Sequence, residues 1–148
     1  ATTMDAALDI DAIRRLIRVA EGLDLTLHRA IDVVEDMDAT LDLAIELGFS
    51  RVLTSGGARH AEEGVDVIAR LAKRGSGRIS IMPGGGVRPE NAGRFLAIAG
   101  VRELHASCSR AGIGEPRLTE LGFSTEAPRH TDADIVRRLK AQLRPGLD

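Results

Sequence analysis

Residues 78–91 read RISIMPGGGVRPEN: an apolar alternation, a proline, three successive glycines and, after two more residues, a second proline. Arg78 to Met82 alternates with the period of a β-strand, and Pro89 suits the first turn of a helix, where its missing N–H is no loss. The stretch therefore predicts a strand running into a helix through a glycine joint. Each glycine costs backbone entropy on folding, so three in a row need a physical reason.

The same unit recurs along the chain. LDLTLHR (23–29) alternates with period 2, and Asp36 or Asp38 then opens a helix carrying Leu41, Ala44, Ile45 and Leu47 up to Gly48. SRVLTSGG (50–57) precedes a helix near 59–73, RISIMPGGG precedes one over 89–98, and VRELHAS (101–107) precedes, after a looser stretch, one over 132–143. Ahead of them all, Ile10, Ile13, Leu16, Ile17 and Ala20 form a helical stripe that Asp9 or Asp11 caps and Gly22 ends. Strands alternating with helices imply parallel pairing through crossovers.

Strand faces separate the two parallel architectures. Leu25/Leu27, Ile79/Ile81 and Leu104/Ala106 are apolar, whereas Thr26/His28, Ser80/Met82 and Glu103/His105/Ser107 are mostly polar. A doubly wound sheet covers both faces with helices and wants both apolar, while inward residues near a barrel mouth can be polar. The expectation is an α/β chain forming the C-terminal half of a TIM (β/α)8 barrel, residues 1–148, with four parallel βα units as strands five to eight plus a leading helix. Half a barrel leaves two unpaired edges, so a missing N-terminal half or a homo-oligomeric partner is expected to complete it.

Composition fits one globular domain of 148 residues, 43% hydrophobic and 28% charged. The net charge of −2 comes from interspersed signs and aromatics make up 2%, which argues against nucleic acid as a partner. No apolar run approaches the roughly 20 residues of a membrane span, and a single cysteine, Cys108, forms no internal disulfide. No membrane partner and a cytoplasmic setting are the expectations. The opening ATTMDAALDID has neither initiator methionine nor signal-peptide features and reads as cut from a longer chain.

Barrel chemistry sits at the C-terminal strand ends, here HRAID (28–32), TSGG (54–57), PGGGV (83–87) and HASCS (105–109). Gly84, Gly85 and Gly86 let backbone approach a ligand ahead of a helix N-terminus, which suits a small anion. The alternative is a sharp turn needing positive φ. Thr54, Ser55, Gly56 and Ser107 share that mouth, with Arg29 either meeting the anion or pairing with a neighbouring helix. His28 and His105 are the candidate proton-transfer groups, with Asp32 placed to orient His28. Glu103, on the inner face, needs a partner, for which an arginine from the missing half is the expectation. Ser55 lacks a nucleophile-elbow context and is expected to form a hydroxyl hydrogen bond. Cys108, Met82 and the two histidines include soft donors that suit Cu(I), but without paired spacing a buried thiol is the better reading of Cys108. Lys73 and Lys140 are the only lysines and fall on helix surfaces, so this chain has no strand-end Schiff-base lysine.

TLHRAID, LAIELGFSRVLTSGG, IMPGGGVRPEN and VRELHAS, in this order and spacing, resemble the C-terminal half of the CutC family, from about Leu8 to Ser107, with a weaker match in TDADIVRRLKAQL. The resemblance implies a (β/α)8 barrel, a role in copper homeostasis and a barrel mouth made of His28, Arg29, Asp32, Thr54 to Gly56, Gly84 to Gly86, His105 and Ser107. The cysteines proposed to bind Cu(I) in that family fall in the half absent here, so the resemblance assigns no metal ligand to this chain. Copper handling is one functional expectation. The competing one is an enzyme acting on a small anionic or phosphorylated substrate held at Gly84 to Gly86.

Overall fold

The computed structural model describes residues 8–143. Helix α1 (Ile10–Val19) is capped by Asp9, whose carboxylate accepts from the Ala12 amide at 2.9 Å. Strand β1 (Thr26–Leu27) runs into a 3-10 helix over Arg29–Val33. Then follow α2 (Met37–Glu46), capped by Asp36, β2 (Arg51–Thr54), α3 (Val65–Gly75), β3 (Ser80–Pro83) and α4 (Pro89–Leu96). The chain closes with β4 (Ser109–Ala111), α5 (Pro116–Glu120), β5 (Arg129–Thr131) and α6 (Ala133–Gln142).

Strands β1, β2 and β3 pair in parallel and in sequence order, with Arg51 opposite both Thr26 and Ser80. Helices connect them, as parallel pairing requires. Leu27, Val52 and Ile81 point to the helical side, where Ile31, Leu41, Ile68, Leu71 and Phe95 are fully buried. Each such side chain contributes about 1.5–3 kcal/mol of burial. The opposite face carries Thr26, Arg51, Leu53, Ser80 and Met82, and Glu103 bonds to Arg51 and Ser80 there. Among the described residues the strands form an open sheet and close no barrel.

Three expectations change. The first strand shrinks from 23–29 to Thr26–Leu27, because His28 leaves the ladder to cap the 3-10 helix, its Nδ1 accepting from the Ala30 amide at 3.0 Å. The fourth strand over 101–107 reduces to one parallel bridge, Gly84 opposite His105, with the His105 amide donating to the Pro83 carbonyl at 2.9 Å. The next rung, between Met82 and Glu103, needs an N–H at position 83, and proline has none. Finally, the loose stretch after Ser107 contains an antiparallel β4–β5 ladder with Ser109 opposite Thr131, which the sequence pattern did not announce.

Candidate functional site

Four strand-end strings were expected to converge, and the structure joins two of them tightly. Asp32, on the 3-10 helix, has a side chain only 5% exposed, and Arg29 Nε donates to it at 2.6 Å. Thr54 Oγ1 donates to Oδ1 at 2.5 Å, and the amides of Ser55 and Gly57 donate at 3.0–3.1 Å. The Ser55 hydroxyl lies 3.0 Å from Oδ2 and 2.5 Å from the Ala58 carbonyl, with one proton to share between them. Arg29 Nη2 also reaches Ser55 Oγ and the Ala58 carbonyl. Burial alone would raise the Asp32 carboxyl, but the bonds from Arg29, Thr54, Ser55 and Gly57 outweigh it and hold the group below its ordinary value.

This arrangement corrects the expected partnership of Asp32 and His28. Asp32 is occupied by Arg29 and the TSGG loop, while His28 caps the 3-10 helix and lies exposed. Asp32 thus clamps the loop after β2 to the end of β1, and Ser55 forms the hydroxyl hydrogen bond expected of it. Gly56 is held by its amide to Thr54 Oγ1 at 2.8 Å and adopts φ +73° with its Cα against Gly64, so it too belongs to the clamp.

The three glycines have separate reasons. A Cβ on Gly84 would fall 2.4 Å from Leu53 Cδ1 and 3.2 Å from His105 Cβ. Gly85 and Gly86 sit at φ +102° and +78°, the left-handed region where glycine is at home. Gly85 also packs 3.1 Å, at the position of a Cβ, from Arg29 Nη1, which brings the PGGGV loop against the Asp32 clamp. The Gly85 carbonyl accepts from Ala61 and the Gly86 carbonyl from Asn91 Nδ2, so the loop is fixed from both sides.

On the polar face of the sheet, Glu103 finds its partner inside this chain rather than in an absent half. Arg51 meets it with two parallel bonds of 2.7 and 2.8 Å, and Ser80 Oγ adds a third at 2.6 Å. Arg51, then Ser80, hold the Glu103 carboxyl below its ordinary value against the opposing effect of partial burial. His105 is exposed above this layer and bridges to Gly84.

The remaining strand end opens on a cavity of about 290 Å³ between the PGGGV loop and the β4–β5 ladder. Gly86 to Glu90 form one wall, Ser107 to Ser109 a second, and Arg129, Ile135 and Arg138 the third. Sequence reasoning placed Gly86 and Ser107 in a mouth but missed Arg88, Arg129 and Arg138. The two arginines of the third wall lie more than 20 residues beyond Ser107, on elements with no strand-end signature. Cys108 lines this cavity at φ 46°, half-buried against the core.

Cys108 shares its cavity with Arg88, Arg129 and Arg138, and His28 Nδ1 is taken by the Ala30 amide. Among the described residues, no group of three or more His, Cys, Asp or Glu stands ready to hold a metal ion. Lys73 and Lys140 are exposed on α3 and α6, away from the strand ends.

Comparison with known proteins places these features in a wider set. The profile of the CutC family matches residues 1–110. A CutC family protein of Agrobacterium fabrum is 48% identical over 141 residues, covering 94% of this chain and 56% of its own length. One from Caulobacter vibrioides is 45% identical over 148 residues, covering 95% of this chain and 60% of its own length. The crystal structure of CutC from Streptococcus agalactiae, a protein named for copper homeostasis, superposes with a TM-score of 0.66 at 33% identity. That match covers 70% of this chain and 51% of the other. The chain spans little more than half the length of these relatives.

Proposed function

The chain belongs to the CutC family, and from that premise we propose that it serves copper homeostasis, supplying strands five to eight of a (β/α)8 barrel. The observation that carries the role is the family match, together with the name of the S. agalactiae protein. The barrel is supported by the sequence-ordered parallel strands, by the bridge that sets residue 105 beside β3, and by a sheet face too polar to be covered by helices. The proposed setting is the cytoplasm, where a lone cysteine without a disulfide partner is at home. Copper is the cargo of this role, and among the described residues no group of three or more His, Cys, Asp or Glu stands together. Disrupting the gene in its source organism should change copper tolerance and cell copper content, with the intact gene restoring both. Unchanged tolerance and content across a copper series would refute the role.

One observation favours a second reading, an enzyme acting on a small anionic substrate: a cavity bearing three arginines opens beside the glycine loop. In that reading the exposed His105 moves the proton, and His28 has Nε2 for the same task. Arg29 and Gly84 to Gly86 form the inner edge of the anion site. Thermal melting of the protein with Cu(I), inorganic phosphate or malonate separates the readings. Protection by an anion supports the enzyme; protection by Cu(I) and by neither anion removes it.

A further inference from the structure

We infer that the cavity between the PGGGV loop and the β4–β5 ladder binds the phosphoryl group of a small phosphate ester, with Arg129 as its principal cation. The inference rests on the anionic-substrate reading above and adds to it a place and a chemical class. Three guanidinium groups reach the cavity from three separate elements: Arg88 from the α4 N-cap, Arg129 from β5 and Arg138 from α6. Among the described residues its only lining carboxylate is Glu90, so those residues give the wall a net charge of +2 (three arginines less one glutamate). Glu90 pairs with Arg138 and Arg88 with Glu62, which leaves Arg129 with no carboxylate partner among the described residues.

Arg129 is nevertheless held in place. Its Nε donates to Ser109 Oγ at 3.0 Å and its Nη2 to the Ser109 carbonyl at 2.7 Å, and neither bond uses Nη1. Ser109 Oγ lies 3.0 Å from Ser107 Oγ, so a continuous run of Ser107, Ser109 and Arg129 lines one side with donors. A planar carboxylate is satisfied by one bidentate arginine. Cations and hydroxyls arriving from several directions suit a tetrahedral dianion better, and about 290 Å³ leaves room for a phosphoryl group on a small carbon skeleton. Arg129 and Arg138 lie beyond the residues 1–110 that the family profile matches, so the site belongs to chains that carry the C-terminal ladder and helix.

The test titrates inorganic phosphate into the full chain by calorimetry and maps it by amide chemical shifts. Saturable binding is expected, with shifts centred on Val87, Arg88 and Glu90 and on Ser107 to Ser109. Arg129→Gln should weaken it at least about tenfold, whereas Arg117→Gln, an equal charge change on α5 outside the cavity, should weaken it less than about twofold. Arg138→Gln probes the same cavity without touching the ladder and should weaken binding as well, so a poorly folded Arg129 variant does not decide the matter alone. Phosphate that binds equally to both cavity variants, or shifts centred on Arg29, Ser55 and Gly85, would overturn this site while leaving an anionic substrate at the inner mouth. Saturable malonate with no phosphate binding would overturn the phosphoryl class alone. Failure of phosphate, sulfate and malonate together would overturn both the site and the reading it rests on.

Discussion

Asp32 shows what the strand-end strings can and cannot disclose about single residues. HRAID and TSGG were legible as functional segments because polar residues rarely crowd the end of a buried strand without purpose. Spacing does not reveal whether a carboxylate's oxygens are already taken, and here Arg29, Thr54, Ser55 and Gly57 take them. The role that follows is attachment of one loop to another, and it makes a signed pH prediction. A carboxyl held below its ordinary value in the folded state stabilises the protein above the unfolded value, and that stability is lost as pH falls below about 4. Asp32→Asn puts an amide N–H against other donors and should cost about 2 kcal/mol at pH 7. Urea unfolding from pH 7 to pH 2 should show the gap between wild type and variant closing in acid. A gap that stays constant through that range would mean the carboxylate charge contributes nothing.

At the scale of elements, helices α1, α2, α4 and α6 were readable because their apolar residues keep a 3.6-residue period and aspartate or proline marks their starts. The β4–β5 ladder was not, since SRA and RHT are three residues each and almost wholly exposed, leaving no alternation to detect. The fourth strand failed for a chemical reason instead, the missing N–H of Pro83. The glycines of the β3–α4 joint and of α4 itself separate packing from propensity. Gly84→Ala would drive a methyl into Leu53 and should destabilise by about 1–3 kcal/mol. Gly93 lies exposed within α4 with nothing within 4 Å of a Cβ, so Gly93→Ala should stabilise by about 0.5–1 kcal/mol. Melting temperatures should therefore move in opposite directions. A common direction would show that α4 does not pack on its joint as described.

For the whole molecule, the deciding feature is the edge at β1. Only two residues of β1 pair with β2, and its other side faces a groove of about 210 Å³ lined by Ile13, Leu16, Ile17, Leu25, Leu27 and Phe49. The α1 stripe that the sequence announced is real as a pattern yet only half used: Ile13 is buried, while Leu16 is 63% and Ile10 36% exposed. Among the described residues no strand pairs with the other side of β1, and an amphipathic helix beside such an edge suits a further strand and its helix, as in the barrel proposed here. In relatives of which the match covers only 51–60%, the additional chain is the proposed occupant. For the 148-residue chain by itself, the predicted occupant is a second copy, and sedimentation at micromolar concentration should then give a concentration-dependent dimer or larger species. Leu16→Glu puts a charge into the groove at a position already exposed, leaving the helix intact by circular dichroism while shifting the population toward monomer. A wild-type chain that sediments as a stable monomer, with the same profile as Leu16→Glu, would show that the β1 edge needs no cover and would remove the main physical reason for completing the barrel.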